Sequence, residues 1–387
     1  MKFLLRSSSK QKRSFNHIIF SRMERLRPLL LWLICEPEWF VMQCRQVWRV
    51  HLPHMLANRD DSKPWPEIAK DLFLSLLRHK CLPFYYFRYG LYLKNADKEA
   101  MKKYIPDSAF YYLYLARFNQ DWGLLDDKNV FHNILATSPL RQPEIVVRRQ
   151  SGIWKDTNYR VLADVSQAYT ALSHTEKTYF CKPADLSSGG NGVFILEARN
   201  GRLHVDEQEL SEENFAHTFE GDWLIQERVL NSDDIRKFNA HALNCTRILT
   251  VQDSNGHSYA LYASQKIATG KGLTDNGQNG LVYAAIDLET GRLGTYAYNE
   301  KNEKFDTHPG TNLRYDSLVL KDMHEAVEMC VQAAYYFPKC KIIGWDVALT
   351  NNGPVLIEGN SSPAITSLQR PHEGLPELIS YLRGNKY

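Results

Sequence analysis

Cysteine is sparse and unpatterned. The seven residues Cys35, Cys44, Cys81, Cys181, Cys245, Cys330 and Cys340 are odd in number and never stand in C-x-x-C spacing. This argues against a disulfide framework or a zinc site, and suits small buried hydrophobes in a reducing cytoplasm. Long apolar runs are missing as well. The stretch 29–35 is too short to cross a bilayer and no small-residue cleavage site follows it, so a soluble cytoplasmic chain is expected. An excess of one charge is also lacking: a net charge of +3 over 387 residues gives no basis for nucleic-acid binding. The histidines form no H-E-x-x-H, there is no nucleophile elbow, and no glycine loop ends in G-K-[ST]. Zinc hydrolysis, serine-triad chemistry and a Walker site therefore have no support.

The basic residues are nevertheless uneven. Lys2, Arg6, Lys10, Lys12, Arg13, Arg22, Arg25 and Arg27 face the single acid Glu24 within residues 1–35. That excess suits peripheral contact with an anionic membrane surface or an acidic partner, and a solvated terminus explains it equally. From about residue 15 to 117, apolar residues recur at three- and four-residue spacing, rich in aromatics and punctuated by Pro53, Pro64, Pro66 and Pro83. These are expected to be amphipathic helices, with Asp107-Ser108 capping one of them. The texture changes near residue 125. Asp127 is placed to cap a helix from Lys128 to Leu135, and short β-branched strands then alternate with helices to the end, an α+β or α/β pattern.

Several polar interruptions mark this second part. A strand ends in Lys182-Pro183, and a loop containing Ser187, Ser188, Gly189, Gly190, Asn191 and Gly192 follows. Bare backbone N–H groups in such a loop can approach phosphate oxygens, although an ordinary glycine hairpin reads the same. The strand 222–229 ends in Gln226-Glu227-Arg228-Val229, a hinge suited to an adenine edge or simply a strand entering solvent. Arg247 sits inside the apolar strand 242–251, which is costly unless it is paired or meets an anion. Lys266 precedes a polar glycine-rich loop, 269–280, which reads as a lid over a charged substrate or as a plain mobile loop.

Two apolar runs, 342–350 and 355–360, joined by Asn351-Asn352-Gly353-Pro354, predict a buried hairpin. Asp346, Glu358 and Asn360 interrupt it. A period of two places Glu358 and Asn360 on one face, with Asp346 approaching from the neighbouring strand. Three converging oxygen side chains suit a hard cation such as Mg2+; a pair of acids facing water is the plainer alternative.

The order Lys128, Lys182-Pro183 with its Ser/Gly loop, Gln226-Glu227, Arg247, then Asp346 with Glu358-Gly359-Asn360 resembles the ATP-grasp superfamily. Leu243-Asn244-Cys245-Thr246-Arg247, Thr274-Asp275-Asn276 and Gly344-Trp345-Asp346-Val347-Ala348 with Gly353 to Asn360 narrow it. They resemble the subgroup of sugar-transfer-associated ATP-grasp proteins, from about residue 125 onward. The fold implied is α+β: two α+β subdomains clasping ATP, 121–230 and 231–387, after a mostly helical region, 1–120.

The resemblance implies ATP and Mg2+ as cofactors. Lys128 and Lys182 would contact the nucleotide, with Ser187, Ser188, Gly189 and Gly190 covering its phosphates. Gln226, Glu227 and Val229 would form the adenine hinge, and Asp233 or Asp234 would meet the ribose. Asp346, Glu358 and Asn360 would hold the metal. Arg247, Lys266 and Asn276 would face the transferred phosphate and acyl intermediate, and Ser361-Ser362 the activated carboxylate. The implied reaction is ADP-forming ligation of a small-molecule, peptide or glycan-linked carboxylate to an amine. A phosphotransferase acting on a hydroxyl and a non-catalytic nucleotide-binding accessory protein are the alternatives. Gly344 stands where D-alanine–D-alanine-type ligases usually carry an Arg, so Arg247 is the expected substitute. The spacing Asn276-Gly277-Gln278-Asn279-Gly280 departs from the lid of glutamate-adding relatives.

Overall fold

A computed structural model describes residues 37–384 apart from 58, 80–82, 97–98, 122, 185–191, 271 and 273–279. The basic segment 1–36, the Ser187–Gly190 positions and Asn276 thus lie outside the described residues.

The chain enters through helices α1 (Pro37–Gln46) and α2 (Trp65–His79). Helix α2 turns Ile68, Ser75 and His79 inward at helical spacing, and Ile68 joins a small core with Met55, Tyr85, Tyr86, Tyr89 and Tyr104. A continuous helical run follows, made of Asp107–Ala109, Phe110–Leu115 and Ala116–Phe118. The expected side-chain cap is absent from its start. Asp107 instead accepts a hydrogen bond from Arg88, a largely buried pair that binds this run to the preceding helices.

The first sheet contains β1 (Ile145–Gln150), β2 (Ile153–Asp156), β3 (Thr178–Pro183), β4 (Phe194–Arg199), β5 (Arg202–Val205), β6 (Gln208–Leu210) and β7 (Trp223–Glu227). Their order is β2-β1-β7-β3-β4-β5-β6, and every pairing is antiparallel. Before it stands α3 (Lys128–Leu135), where Asp127 accepts from the Val130 N–H at 3.0 Å, the cap that the sequence predicts. Helices α4 (Val165–Ser173) and α5 (Glu212–Thr218) cover one face, burying Tyr179, Cys181, Trp223 and Ile225 with Ala168, Leu172 and Phe215. Strand alternation turns Lys182, Leu224 and Gln226 to the other face.

The second sheet contains β8 (Thr246–Gln252), β9 (Ser258–Ala268), β10 (Leu281–Ile286), β11 (Leu293–Asn299), β12 (Lys304–Phe305), β13 (Ile342–Thr350) and β14 (Gly353–Asn360), in the order β12-β11-β10-β9-β8-β13-β14. One face packs Ile248, Ala263, Ile343, Trp345 and Val347 against α6 (Met323–Ala334) and against Phe131 and Leu135 of α3. The other packs Leu249, Val251, Tyr262 and Ile342 against Ile105, Phe110, Leu115 and Phe118, with α7 (Thr366–Gln369) and α8 (Pro376–Gly384). The end of the N-terminal region is thus core material for this sheet. Both faces being covered explains why β8 and β13 read as nearly continuous apolar runs.

Candidate functional site

The hairpin forms more tightly than the sequence suggests. Thr350 pairs directly with Gly353, so Gly353 and Pro354 belong to β14 and Asn351-Asn352 alone make the turn. A β-bulge then shifts the register between Asp346 and Val347: Asp346 pairs with Glu358, whereas Val347 pairs with Leu356. The extra residue, Ile357, lets Leu356 enter the core on the α6 side while Glu358 returns to the opposite face beside Asp346. Asn360 pairs with Gly344, and its Nδ2 donates to Glu358 Oε1 at 3.2 Å and to Gly344 O at 3.3 Å. The three predicted metal ligands therefore share one face.

Arg247 and Lys266 meet them there. Arg247 pairs with Asp346 across β8 and β13, donating Nε to Oδ1 and Nη2 to Oδ2, each at 2.9 Å. Lys266 Nζ lies 3.2 Å from the same Oδ1. All three side chains are about nine-tenths buried or more. This resolves the cost of an arginine in an apolar strand: it is satisfied bidentately by a carboxylate. Gly344 makes room, since a Cβ there would stand 2.9 Å from Arg247 Nη1 and 2.5 Å from Pro363 Cβ. An arginine at position 344 would meet the same obstruction, so the cations on this face come from β8 and β9.

Facing this cluster, Lys182 is buried on the first sheet. Burial, and then the nearby charge of Lys128, pull its ammonium down to about 8, with Glu358 opposing the shift. Lys128 begins α3, and the same helix carries His132. His132 Nδ1 donates to Gln142 Oε1 at 2.6 Å and Nε2 accepts from Gln226 at 3.1 Å, which defines one neutral tautomer. Burial and the neighbouring Lys182 hold its pKa down at about 3. Gln226 is therefore engaged with His132, and Glu227 pairs with Lys177. Val229 follows, half-buried. Asp233 is exposed at the start of a short helix, with its N–H donating to Asn351 Oδ1 at 3.0 Å.

Other residues hold the site, and of these Asn119, Asp126, Asn231 and Gln265 carried no sign of it in the sequence. Asn244, fully buried, donates to Asn239 O and Ala242 O, accepts from the Ala268 N–H at 2.8 Å, and is itself gripped by Asn231. Gln265 links Thr246 Oγ1 to Asn244 O. This network fixes the approach to Arg247 and the end of β9 after Lys266. Asn119 bonds both backbone groups of Ile342 and donates to Ser361 O at 2.6 Å, tying the hairpin's two ends together. Ser361 is buried, with N–H and Oγ directed to Asp126 Oδ1; Ser362 is half-buried. Four of the described cysteines are buried and all are free thiols, with burial raising Cys181 and Cys330 well above their usual range.

Residues 111–378, well over half of the chain, match the family described as sugar-transfer associated ATP-grasp. The chain belongs to that family. Its fold is accordingly the ATP-grasp fold, with a helical N-terminal region before it. Among solved structures it is similar to N5-carboxyaminoimidazole ribonucleotide synthetase from Thermotoga maritima (11% identity, TM-score 0.34, 62% of this chain and 42% of that one). It is also similar to biotin carboxylase from Campylobacter jejuni (12%, 0.40, 68% and 47%) and D-alanine–D-alanine ligase from Bacillus anthracis (12%, 0.36, 68% and 67%). The chain spans less than half the length of the first two. No curated protein has a significant match to it.

The donor set fits the groups that an ATP-grasp protein implies. Two lysines this close, one desolvated enough to lower its pKa, suit a multiply charged anion that would restore the charge. No cluster of three His, Cys, Asp or Glu side chains occurs among the described residues, but two carboxylates and an amide do converge, an all-oxygen set suited to a hard cation. A carboxylate offers about four lone-pair positions, so Asp346, with two engaged by Arg247 and one by Lys266, keeps one for a cation.

Proposed function

We propose that this ATP-grasp protein is an ADP-forming ligase joining a carboxylate to an amine, the acid being small-molecule, peptide or glycan-linked. The observation that carries the reading is the Arg247–Asp346–Lys266 cluster, joined to Glu358 and Asn360 and facing the Lys128–Lys182 pair. Such a site concentrates fixed positive charge where a phosphoryl group gains negative charge, and it needs no acid–base residue at the reacting carbon.

The residues divide the work. Lys128 and Lys182 hold the nucleotide's phosphates, with the backbone after Gln226 toward Val229 beside the adenine and Asp233 near the ribose. Asp346, Glu358 and Asn360 would hold magnesium, which would supply positive charge to offset that of the phosphates. Arg247, held by two bonds to Asp346, is oriented before the reaction, so little reorganisation opposes charge development. A substrate carboxylate oxygen bonds to the γ-phosphorus as the bond to ADP breaks. The amine nitrogen then bonds to the acyl carbon, inorganic phosphate leaves, and the nitrogen sheds a proton.

The test is Glu358→Gln. ADP formation should be lost while the far-UV circular dichroism and melting temperature stay near those of the wild type. Full turnover in that variant would remove Glu358 from the metal site and the reading with it. A stable phosphorylated product from the wild-type enzyme would instead make it a phosphotransferase.

A further inference from the structure

Helix α2 has two apolar faces. Ile68, Ser75 and His79 point into the small N-terminal core, while Phe73, Leu74 and Leu77 point outward, 59%, 46% and 59% exposed. Leu77 lies half a helical circumference from Ile68, so the outer stripe is not the margin of the buried one. The preceding helical segment repeats the pattern: Met55 enters the same core, while Val41, Met42, Trp48 and Leu56 are exposed, Trp48 by 72%. An exposed apolar stripe opposite a buried one is ordinarily covered by something.

The exposed charges on these two helical segments are mostly positive, with Asp60 and Asp61 in the turn between them. Arg45 and Arg49 flank Trp48, and Lys70 and Arg78 flank Phe73 and Leu77; all four are exposed. Of the two acids on α2, Asp71 is drawn inward by Lys63 (2.9 Å) and by the Tyr86 hydroxyl (3.1 Å), which leaves Glu67 in the first turn. The first 80 residues carry fifteen Lys and Arg against seven Asp and Glu, so the remainder of a chain of net charge +3 is acidic. No described helix is long and apolar enough to cross a membrane.

We propose that the outer faces of these two helical segments form a docking surface for an anionic lipid bilayer. The contact lies in the plane of the interface: Trp48, Leu56, Phe73, Leu74 and Leu77 enter the headgroup–acyl boundary, while Arg45, Arg49, Lys70 and Arg78 extend to the phosphates. A bilayer fits better than a protein groove because the aromatic and leucine residues occur on two separate helical segments, each flanked by arginine or lysine. The catalytic cleft is built from other parts of the chain, so docking would place the enzyme at a surface without occupying its site.

The test is co-sedimentation of the full chain with phosphatidylcholine vesicles, with and without roughly one-third phosphatidylglycerol. Binding should favour the anionic vesicles about tenfold or more and decline as salt rises. The double substitution Phe73→Glu with Leu77→Glu should reduce partitioning about tenfold or more with the circular dichroism spectrum unchanged. Trp48→Ser tests the other segment independently and should weaken binding in the same sense. Equal binding to neutral and anionic vesicles, or binding unaffected by all these substitutions, overturns the proposal. So does a dimer in sedimentation velocity that the double substitution dissolves, which would assign the faces to a second copy of the chain.

Discussion

Arg247 Nε and Nη2 stand 2.9 Å from the two oxygens of Asp346, across directly paired positions of adjacent strands. With Lys266 on the same carboxylate, Asp346 is the common counter-charge of two buried cations. Asp346→Ala strands both, so urea unfolding should show a loss of about 3–5 kcal/mol. Glu358 is only half-buried, and Glu358→Gln should stay within about 1 kcal/mol of the wild type while abolishing turnover. Equal stability losses in the two variants would contradict this difference in structural load between Asp346 and Glu358.

Nucleotide affinity should fall as pH rises through about 8. Without nucleotide, Lys182 loses its proton near there because burial and Lys128 disfavour the ammonium. A bound phosphate favours the charged form, so above that pH binding must take up a proton. The slope approaches, at its limit, about tenfold per pH unit. Calorimetry in buffers of different ionisation enthalpy at alkaline pH should detect the uptake, and Lys182→Met should remove it along with much of the affinity.

Acid should destabilise the fold through its buried histidines. His132 is held neutral down to about 3 and His79 to about 4, both chiefly by burial, whereas an unfolded histidine protonates near 6.5. Between those values the unfolded chain binds more protons, so stability rises with pH through this window and is lost as pH falls below about 6.5. Each histidine contributes at most about 1.4 kcal/mol per pH unit. Urea midpoints measured from pH 7 to 4.5 should decline, and more gently in His132→Gln.

Gly359→Ala should cost about 1–3 kcal/mol by overpacking. An added Cβ would lie 2.6 Å from Leu125 Cδ2 and 2.8 Å from the Trp345 ring, on the strand that carries Glu358 and Asn360. A thermal melt checks the stability. ADP formation should fall together with it, because the same shift moves the neighbouring polar residues.

Much of this site was legible because polar residues interrupted apolar strands. Arg247, Asp346, Glu358 and Asn360 stood out for that reason and Lys266 because it precedes a glycine-rich loop, and all five meet on one face. Their mutual pairing was not legible, since β8 and β13 are neighbours in space although nearly a hundred residues separate Arg247 from Asp346. Nor was the bulge at Ile357, which local alternation cannot reveal. His132 looked like any polar residue on an amphipathic helix, and only the fold brings Gln142 and Gln226 to its two nitrogens. Asp107 had the form of a helix cap, but a buried Arg88 competes for the carboxylate and wins it. The packing of Ile105, Phe110 and Phe118 onto the second sheet was hidden by their aromatic surroundings, which suited a separate helical region equally well.

The most direct test of the ligase reading follows one oxygen atom. Purified enzyme is screened with ATP, magnesium and panels of amines and acids whose carboxylates carry oxygen-18, and the products are read by mass spectrometry. The account predicts ADP formation dependent on both partners, an amide lighter than their sum by one labelled water, and released phosphate bearing one labelled oxygen. Unlabelled phosphate alongside the amide would contradict the acyl-phosphate route. A stable phosphorylated product without amide would contradict ligation itself.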